Sequence, residues 1–136
     1  MNALYGLVMV AMVCVGLSTA SAQSTLLKDK LKLEVLSVGL DPDLPKGFFI
    51  CGEGHLHIRA TVQNRSAAPI GKITVAGKVF DAEGSLLGEA NGTTQLPRLL
   101  PYETTEVNLE FLKVTGPKIE QVKRHEETIV EASLAQ

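Results

Sequence analysis

Apolar and polar residues alternate at every second position in several short segments of the chain. The clearest case is the segment 55–63, whose apolar positions are Leu56, Ile58, Ala60 and Val62. Successive side chains of a β-strand point to opposite faces, so this pattern predicts a strand with one buried face. The same period recurs in the segments 31–35, 70–80 and 103–114, and the segment 86–90 is predicted as the strand that returns after the turn at 81–84.

Turn-forming residues separate these segments. The segment 41–47 contains two prolines and one glycine and cannot continue a central strand. Polar turns are predicted at 64–69 and at 81–84, where Gly84 closes a hairpin. The segment 91–101 is a longer connection, which is predicted to cross between sheets. Short alternating segments separated by turns predict an all-β protein, an antiparallel immunoglobulin-like β-sandwich of about seven strands.

The last segment, 118–136, admits two interpretations. Ile119 and Val122 fit one stripe of a helix, whereas the β-branched residues further along favour a strand. We favour a short turn at 119–122, followed by a closing strand near 128–134.

The N-terminal segment, residues 1–22, carries no charged side chain. Its apolar run, 7–17, is too short to span a bilayer and is typical of a signal peptide. The stretch 20–22, Ala-Ser-Ala, matches a cleavage site, so we predict cleavage after Ala22 and a single domain at 23–136. The mature protein is then periplasmic or secreted, without stable membrane insertion. No Lys or Arg precedes the apolar run, so a retained N-terminal anchor stays open as the alternative.

Composition narrows the classes of partner. The chain has 136 residues, of which 13 are basic and 15 acidic, and its net charge is −2. This balance offers no attraction for nucleic acid or anionic lipid. Hydrophobic residues make up 45%, enough for one core, while aromatic residues make up 4% and tryptophan is absent. Sugar-binding and base-stacking surfaces use exposed aromatic rings, so both are disfavoured.

The stretch CGEGHLHIRATVQN places one thiol and two imidazoles within seven residues. His55 and His57 share one face of the predicted strand, and with Cys51 they form a candidate copper or zinc site. Arg59 follows on the same face and opposes a cation, and His125 is far along the chain. We therefore favour solvated histidines without metal or cofactor. A periplasmic copper- or zinc-binding protein is the alternative.

Cys51 is the only cysteine that remains after the predicted cleavage, since Cys14 lies in the signal peptide. A single cysteine forms no internal disulfide. The apolar patch 47–50 precedes it, which favours a buried and inert thiol. An exposed thiol that pairs with another molecule in an oxidising compartment is the alternative.

The stretch from LHIRATVQN to VNLEF resembles the FxLYD-type domains of bacterial envelope proteins. The matching positions are Asn64, the Val79-Phe80-Asp81 group, Gly84, Leu99 to Glu103, and Phe111. The match covers about residues 55–112. It departs at Gly77, where a Phe is usual, and at Tyr102, where a small residue is usual. The resemblance implies an immunoglobulin-like or transthyretin-like sandwich, and it implies no reaction.

Motifs for catalysis are missing from the sequence. It contains neither a Gly-x-Ser-x-Gly elbow nor a phosphate-binding Gly-x-x-x-x-Gly-Lys loop. We therefore predict a non-catalytic binding or assembly module of the cell envelope, with a protein partner at a sheet edge or at loops. Phe48 and Phe49, in the predicted loop 41–54, are the candidate contact residues. The alternative is that both rings close one end of the core.

Overall fold

The fold is an all-β sandwich of two antiparallel sheets, as the alternation predicts. The computed structural model describes residues 27–135, so the predicted signal peptide lies outside the described residues. The elements are β1 (Leu31–Val35), β2 (Phe48–Ile50), β3 (His55–Asn64), β4 (Ile70–Phe80), β5 (Leu86–Thr93), β6 (Thr104–Thr115), α1 (Pro117–Gln121) and β7 (Arg124–Leu134). No helix within the described range is long and apolar enough to cross a membrane.

β3 is the central strand of the first sheet. β6 pairs antiparallel with one edge of β3, while β1 and β2 share the other edge. In the second sheet, β4 lies between β5 and β7, again with antiparallel pairing. The connection from β5 to β6 therefore crosses between the sheets, as predicted for a link of that length.

The core fills the space between the two sheets. Its fully buried side chains include Leu56, Ile58, Ala60 and Val62 of β3, Ile73, Val75 and Val79 of β4, and Leu109, Phe111 and Val114 of β6. Burying one large apolar side chain contributes roughly 1.5–3 kcal/mol, so this layer is the main source of stability. The two-residue period of the sequence thus predicted the inner face of β3 correctly.

One polar side chain, Asn64, lies fully buried at the end of β3. Its Nδ2 donates to the carbonyl oxygens of Ala68 (2.8 Å) and Leu99 (3.1 Å). Its Oδ1 accepts from the backbone N–H (2.9 Å) and the hydroxyl (2.7 Å) of Ser66. Asn64 therefore holds the polar turn after β3 and ties it to the connection before β6.

Two strands extend beyond their predicted limits. β5 continues past Ala90 to Thr93, although Asn91 and Gly92 are typical of turns. A Cβ at Gly92 would overlap the carbonyl oxygen of Asn108, so close packing of β5 on β6 requires glycine there. β7 begins at Arg124 rather than near Thr128, because it pairs with β4 along most of that strand.

The segment predicted as the loop 41–54 contains a short strand. β2 spans Phe48–Ile50 and pairs with β3 in the register Phe48 to Ile58 and Phe49 to His57. The sequence predicts a loop here because prolines and a glycine precede the strand. Gly47 turns the chain into β2 with φ 83°, and a Cβ there would lie 2.5 Å from Cγ1 of Val35.

Both departures from the FxLYD pattern have a local structural explanation. A Cβ at Gly77 would lie 2.6 Å from Cδ1 of Leu109 and 3.1 Å from Cζ of Phe111, so these two side chains occupy the space of a larger residue. Tyr102 has φ 64°, in the left-handed region that favours glycine. This conformation costs a non-glycine residue about 1–2 kcal/mol. The N–H of Tyr102 donates to the carbonyl oxygen of Asn64 at 2.6 Å, which supports the turn.

Candidate functional site

The outer face of the first sheet carries a group of polar and aromatic side chains from three segments. We call it the imidazole cluster, and its members are Phe49 of β2, Cys51 of the β2–β3 turn, His55 and His57 of β3, and Asn108 and Glu110 of β6. The paired strands bring these residues together from positions as far apart as 49 and 110.

The tight turn between β2 and β3 places Cys51 beside His55. The N–H of Cys51 donates to the carbonyl oxygen of His55 at 3.0 Å, and the N–H of Gly54 donates to the carbonyl oxygen of Cys51 at 2.9 Å. Gly54 has φ 86°, a conformation that side-chain-bearing residues rarely adopt. The link between β2 and β3 therefore folds back and brings Cys51 next to the start of β3.

The register of β3 on β6 brings a carboxylate to both imidazoles. His57 lies directly opposite Glu110, and an irregularity follows between His55 and Leu56. Oε2 of Glu110 lies 3.3 Å from Nδ1 of His55 and 3.4 Å from Nε2 of His57. Glu110 could not be assigned to this group from the sequence, because only strand pairing brings it to residues so distant along the chain. An imidazole and a carboxylate directly opposite each other on an antiparallel pair of strands are the signal that could have suggested it.

His57 points away from the core, as predicted, yet it is only 7% exposed. The Phe49 ring stacks on its imidazole with the centroids 4.6 Å apart and the planes 24° apart. Nδ1 of His57 lies 3.1 Å from Oδ1 of Asn108. Nε2 is buried without a hydrogen-bond partner among the described residues. The expectation that His57 is solvated is therefore corrected, because side chains of the two neighbouring strands cover its ring.

Three side chains of the imidazole cluster carry donor atoms that can bind a metal ion. One ligand atom each from Cys51, His55 and Glu110 lies within 4.8 Å of the others. Thiolate sulfur, imidazole nitrogen and carboxylate oxygen are the three kinds of donor that zinc takes in proteins. In this group Glu110 takes the place that the sequence-based alternative gave to His57, whose ring nitrogens lie outside it.

Arg59, which the sequence suggested would oppose a cation, is engaged elsewhere on the same face. Its guanidinium carbon lies 5.0 Å from the centroid of the Phe49 ring. A guanidinium over an aromatic face is attracted to the ring's negative quadrupole. Phe49 therefore contacts both His57 and Arg59.

The candidate contact residues Phe48 and Phe49 point to opposite faces of β2. Phe48 is 2% exposed and belongs to the core, which corrects the expectation that it contacts a partner. Phe49 is partly buried on the outer face. Cys51 is likewise partly buried and has a free thiol. The sequence does not distinguish the two rings, because the prolines and glycine before β2 predict a loop there.

A groove runs between β5 and β6. It has a volume of about 730 Å³ and is lined by Leu86 to Asn91 on one side and by Glu110, Leu112 and Lys113 on the other. Leu86 is 49% exposed and Leu112 is 61% exposed. Within residues 27–135, β5 pairs with β4 alone and β6 pairs with β3 alone. Each strand therefore presents one free edge.

The third histidine, His125, contacts a carboxylate on its own strand, β7. Nδ1 of His125 lies 2.8 Å from Oε2 of Glu127. The hydrogen bond to Glu127 and, less strongly, the charge of Glu127 raise the pKa of His125, while partial burial opposes them. The His125 ring meets the Phe48 ring edge-on at 5.1 Å between centroids.

Comparison with known proteins finds likeness in solved structures only. No family model matches the chain, and no curated protein matches it. IrmA from Escherichia coli is similar over 78% of this chain and 79% of that chain, with 15% identity and a TM-score of 0.49. A DUF1425 family member from Shewanella sp. pv-4 is similar over 74% of this chain and 77% of its own, with 13% identity and a TM-score of 0.45. Such distant likenesses carry no function over to this chain.

Proposed function

We propose that the protein is an exported, non-catalytic binding module of the bacterial envelope. It takes up an extended segment of a partner protein in the groove between β5 and β6. The observation that carries this proposal is the pair of free strand edges beside two exposed leucines. An extended peptide can pair its backbone with such an edge and place alternate side chains in the groove.

The chemistry of the groove favours a peptide over a small charged molecule. The side chains of Leu86 and Leu112 offer apolar contacts. Within residues 27–135 the facing edges of β5 and β6 pair with no further strand, so their backbone N–H and C=O groups are open to a peptide. Soluble proteins usually protect long strand edges, and an exposed leucine on an unpaired edge is the kind of feature that a partner covers.

The envelope location rests on the sequence. Residues 1–22 have the apolar run and small-residue site of a signal peptide. The resemblance to FxLYD-type domains points to the same compartment. Phe49 stays a candidate for additional contact, because its ring lies partly exposed on the outer face.

Site-specific cross-linking tests this proposal in bacterial cells that express the full chain. A photoreactive amino acid replaces Leu112, and the matched control replaces Val130 of β7, which is 46% exposed. We expect a discrete adduct with another envelope protein from position 112 and none from position 130. The change Leu86→Glu, on the other side of the groove, should abolish the adduct.

Three results would contradict the proposal. One is the absence of any adduct at position 112, and another is equal labelling at both positions. The third is an adduct between two copies of this chain, which would assign the groove to self-association. Circular dichroism of each purified variant shows whether the sandwich is intact, so that loss of an adduct is not mistaken for unfolding.

A further inference from the structure

The buried face of His57 presents a lone pair to a carboxylate. Oδ1 of Asn108 is an acceptor, so the ring nitrogen that faces it, Nδ1 of His57, carries the proton in the neutral imidazole. Nε2 then carries a lone pair, and it lies 3.4 Å from Oε2 of Glu110. Two acceptors facing each other repel, and Nε2 is buried without a hydrogen-bond partner among the described residues. A cation held by both atoms removes this repulsion.

The spacing of the donor atoms suits a small tetrahedral ion. Oε2 of Glu110 lies 3.3 Å from Nδ1 of His55 and 3.4 Å from Nε2 of His57. Zinc bonds to nitrogen and oxygen of about 2.0–2.1 Å place neighbouring ligands of a tetrahedron about 3.3–3.4 Å apart. Both distances from Glu110 therefore match the edges of such a tetrahedron.

Cys51 supplies a sulfur donor to the same place. Its Sγ lies within 4.8 Å of a ligand atom of His55 and of Glu110, where the β2–β3 turn holds it. A bound thiolate and a bound carboxylate carry two negative charges, which balance a divalent ion. Sulfur and imidazole ligands also disfavour Mg²⁺ and Ca²⁺, which require oxygen donors.

We propose that Cys51, His55 and Glu110 bind one zinc ion on the outer face of the first sheet. The ring nitrogens of His57 lie outside this group of mutually close donor atoms, so the more exposed side chains of Cys51 and His55 move toward His57, which completes the site from its buried side. The stacked ring of Phe49 and the hydrogen bond from His57 to Asn108 hold the imidazole in position. This inference goes beyond partner binding in the groove.

Cobalt and zinc titration of the purified protein tests the site. The protein comes from cells that express the full chain, is stripped of metal with a chelator, and is kept with a mild reductant so that Cys51 stays a thiol. We expect one Co²⁺ per chain, with thiolate-to-cobalt absorption and the visible bands of a tetrahedral ion. Zn²⁺ should displace the cobalt, and Mg²⁺ should have no effect.

Variants assign the ligands. Cys51→Ser should abolish the sulfur charge-transfer band, and Cys51→Ser and Glu110→Gln should each weaken zinc binding by more than about 100-fold, beyond the effect of an outer-shell residue. His57→Gln should weaken it by at least about 10-fold. The matched controls are Glu106→Gln, on the same exposed face of β6, and His125→Gln on β7, and both should bind zinc as the native protein does.

The proposal fails under any of three results. The first is a native protein that does not bind one zinc ion per chain. The second is zinc affinity that is unchanged by Cys51→Ser, and the third is zinc affinity that is unchanged by His57→Gln. In the last case the four-residue site is wrong. The zinc proposal and the proposal of partner binding in the groove can fail separately. Leu112→Glu should remove the cross-linked partner and leave zinc binding intact.

Discussion

The two faces of β3 follow one alternating pattern but are stabilised in different ways. On the inner face, Leu56, Ile58 and Val62 are fully buried against the second sheet. On the outer face, His57 is nearly as buried, but under Phe49 and beside the polar side chains of β6. A residue that points away from the core is therefore not necessarily in water. Where neighbouring strands supply large side chains, the outer face of a sheet becomes a second, polar interior.

The two faces also differ in what they require of a substituent. The inner face requires volume, because a lost methyl group leaves a cavity that the sandwich cannot fill. The outer face requires partners, because a buried polar atom without a hydrogen bond costs free energy.

The largest effect is expected from the inner face. The change Ile58→Ala should lower the free energy of unfolding by about 2–5 kcal/mol, because it opens a cavity between the sheets. Urea denaturation followed by circular dichroism measures the loss. The control Thr61→Ala, on the outer face of the same strand, should change stability by less than about 0.5 kcal/mol. Equal losses would contradict the distinction between the faces.

The next effect comes from a polar side chain on the inner face. Asn64→Ala should destabilise the protein by about 2–3 kcal/mol, because it removes the hydrogen bonds that this fully buried side chain makes to Ala68, Leu99 and Ser66. The same urea assay applies, with Asn91→Ala on exposed β5 as the control. A change below about 0.5 kcal/mol would show that water replaces the Asn64 side chain.

A smaller effect is expected for the polar side chain of the outer face. In metal-free protein, His57→Leu should change the free energy of unfolding by less than about 1 kcal/mol, because it removes a buried nitrogen that has no hydrogen bond. Asn108 is exposed, so water can satisfy its freed oxygen. Destabilisation as large as that of Ile58→Ala would mean that the imidazole stabilises the fold by itself.

The smallest effect concerns His125, outside the imidazole cluster. The pKa of His125 is raised above its usual value of 6.5, chiefly by the hydrogen bond to Glu127. The stability that this pair contributes is therefore fully present below the unfolded pKa and is lost as the pH rises through the raised folded pKa. Glu127→Gln should lower the pKa of His125 in an NMR titration, whereas Glu126→Gln, whose partner is Arg124, should not. An unchanged pKa after Glu127→Gln would contradict this assignment.

The sequence predicted the sandwich because its signal is local. Two-residue alternation identifies β3, β4 and β6, and prolines, glycines and asparagines mark the turns between them. β2 was not predicted, because it has only three residues and follows a segment that contains prolines and a glycine. The start of β7 was missed because pairing with β4, rather than local propensity, determines it.

The candidate site was only partly predictable. His55, His57 and Cys51 lie close in sequence, so their neighbourhood was visible at once. Glu110 joins them only through the register of β3 on β6, which alternation alone does not specify across a long connection. The burial of His57 depends on Phe49, which lies in a segment that its prolines and glycine predict to be a loop.

X-ray absorption at the zinc edge of the loaded protein tests the proposed zinc site most directly. Four-coordinate zinc with one sulfur at about 2.3 Å and three nitrogen or oxygen atoms at about 2.0–2.1 Å is the expected first shell. The sulfur contribution should disappear in Cys51→Ser. A first shell made only of oxygen and nitrogen atoms in the native protein would contradict the account.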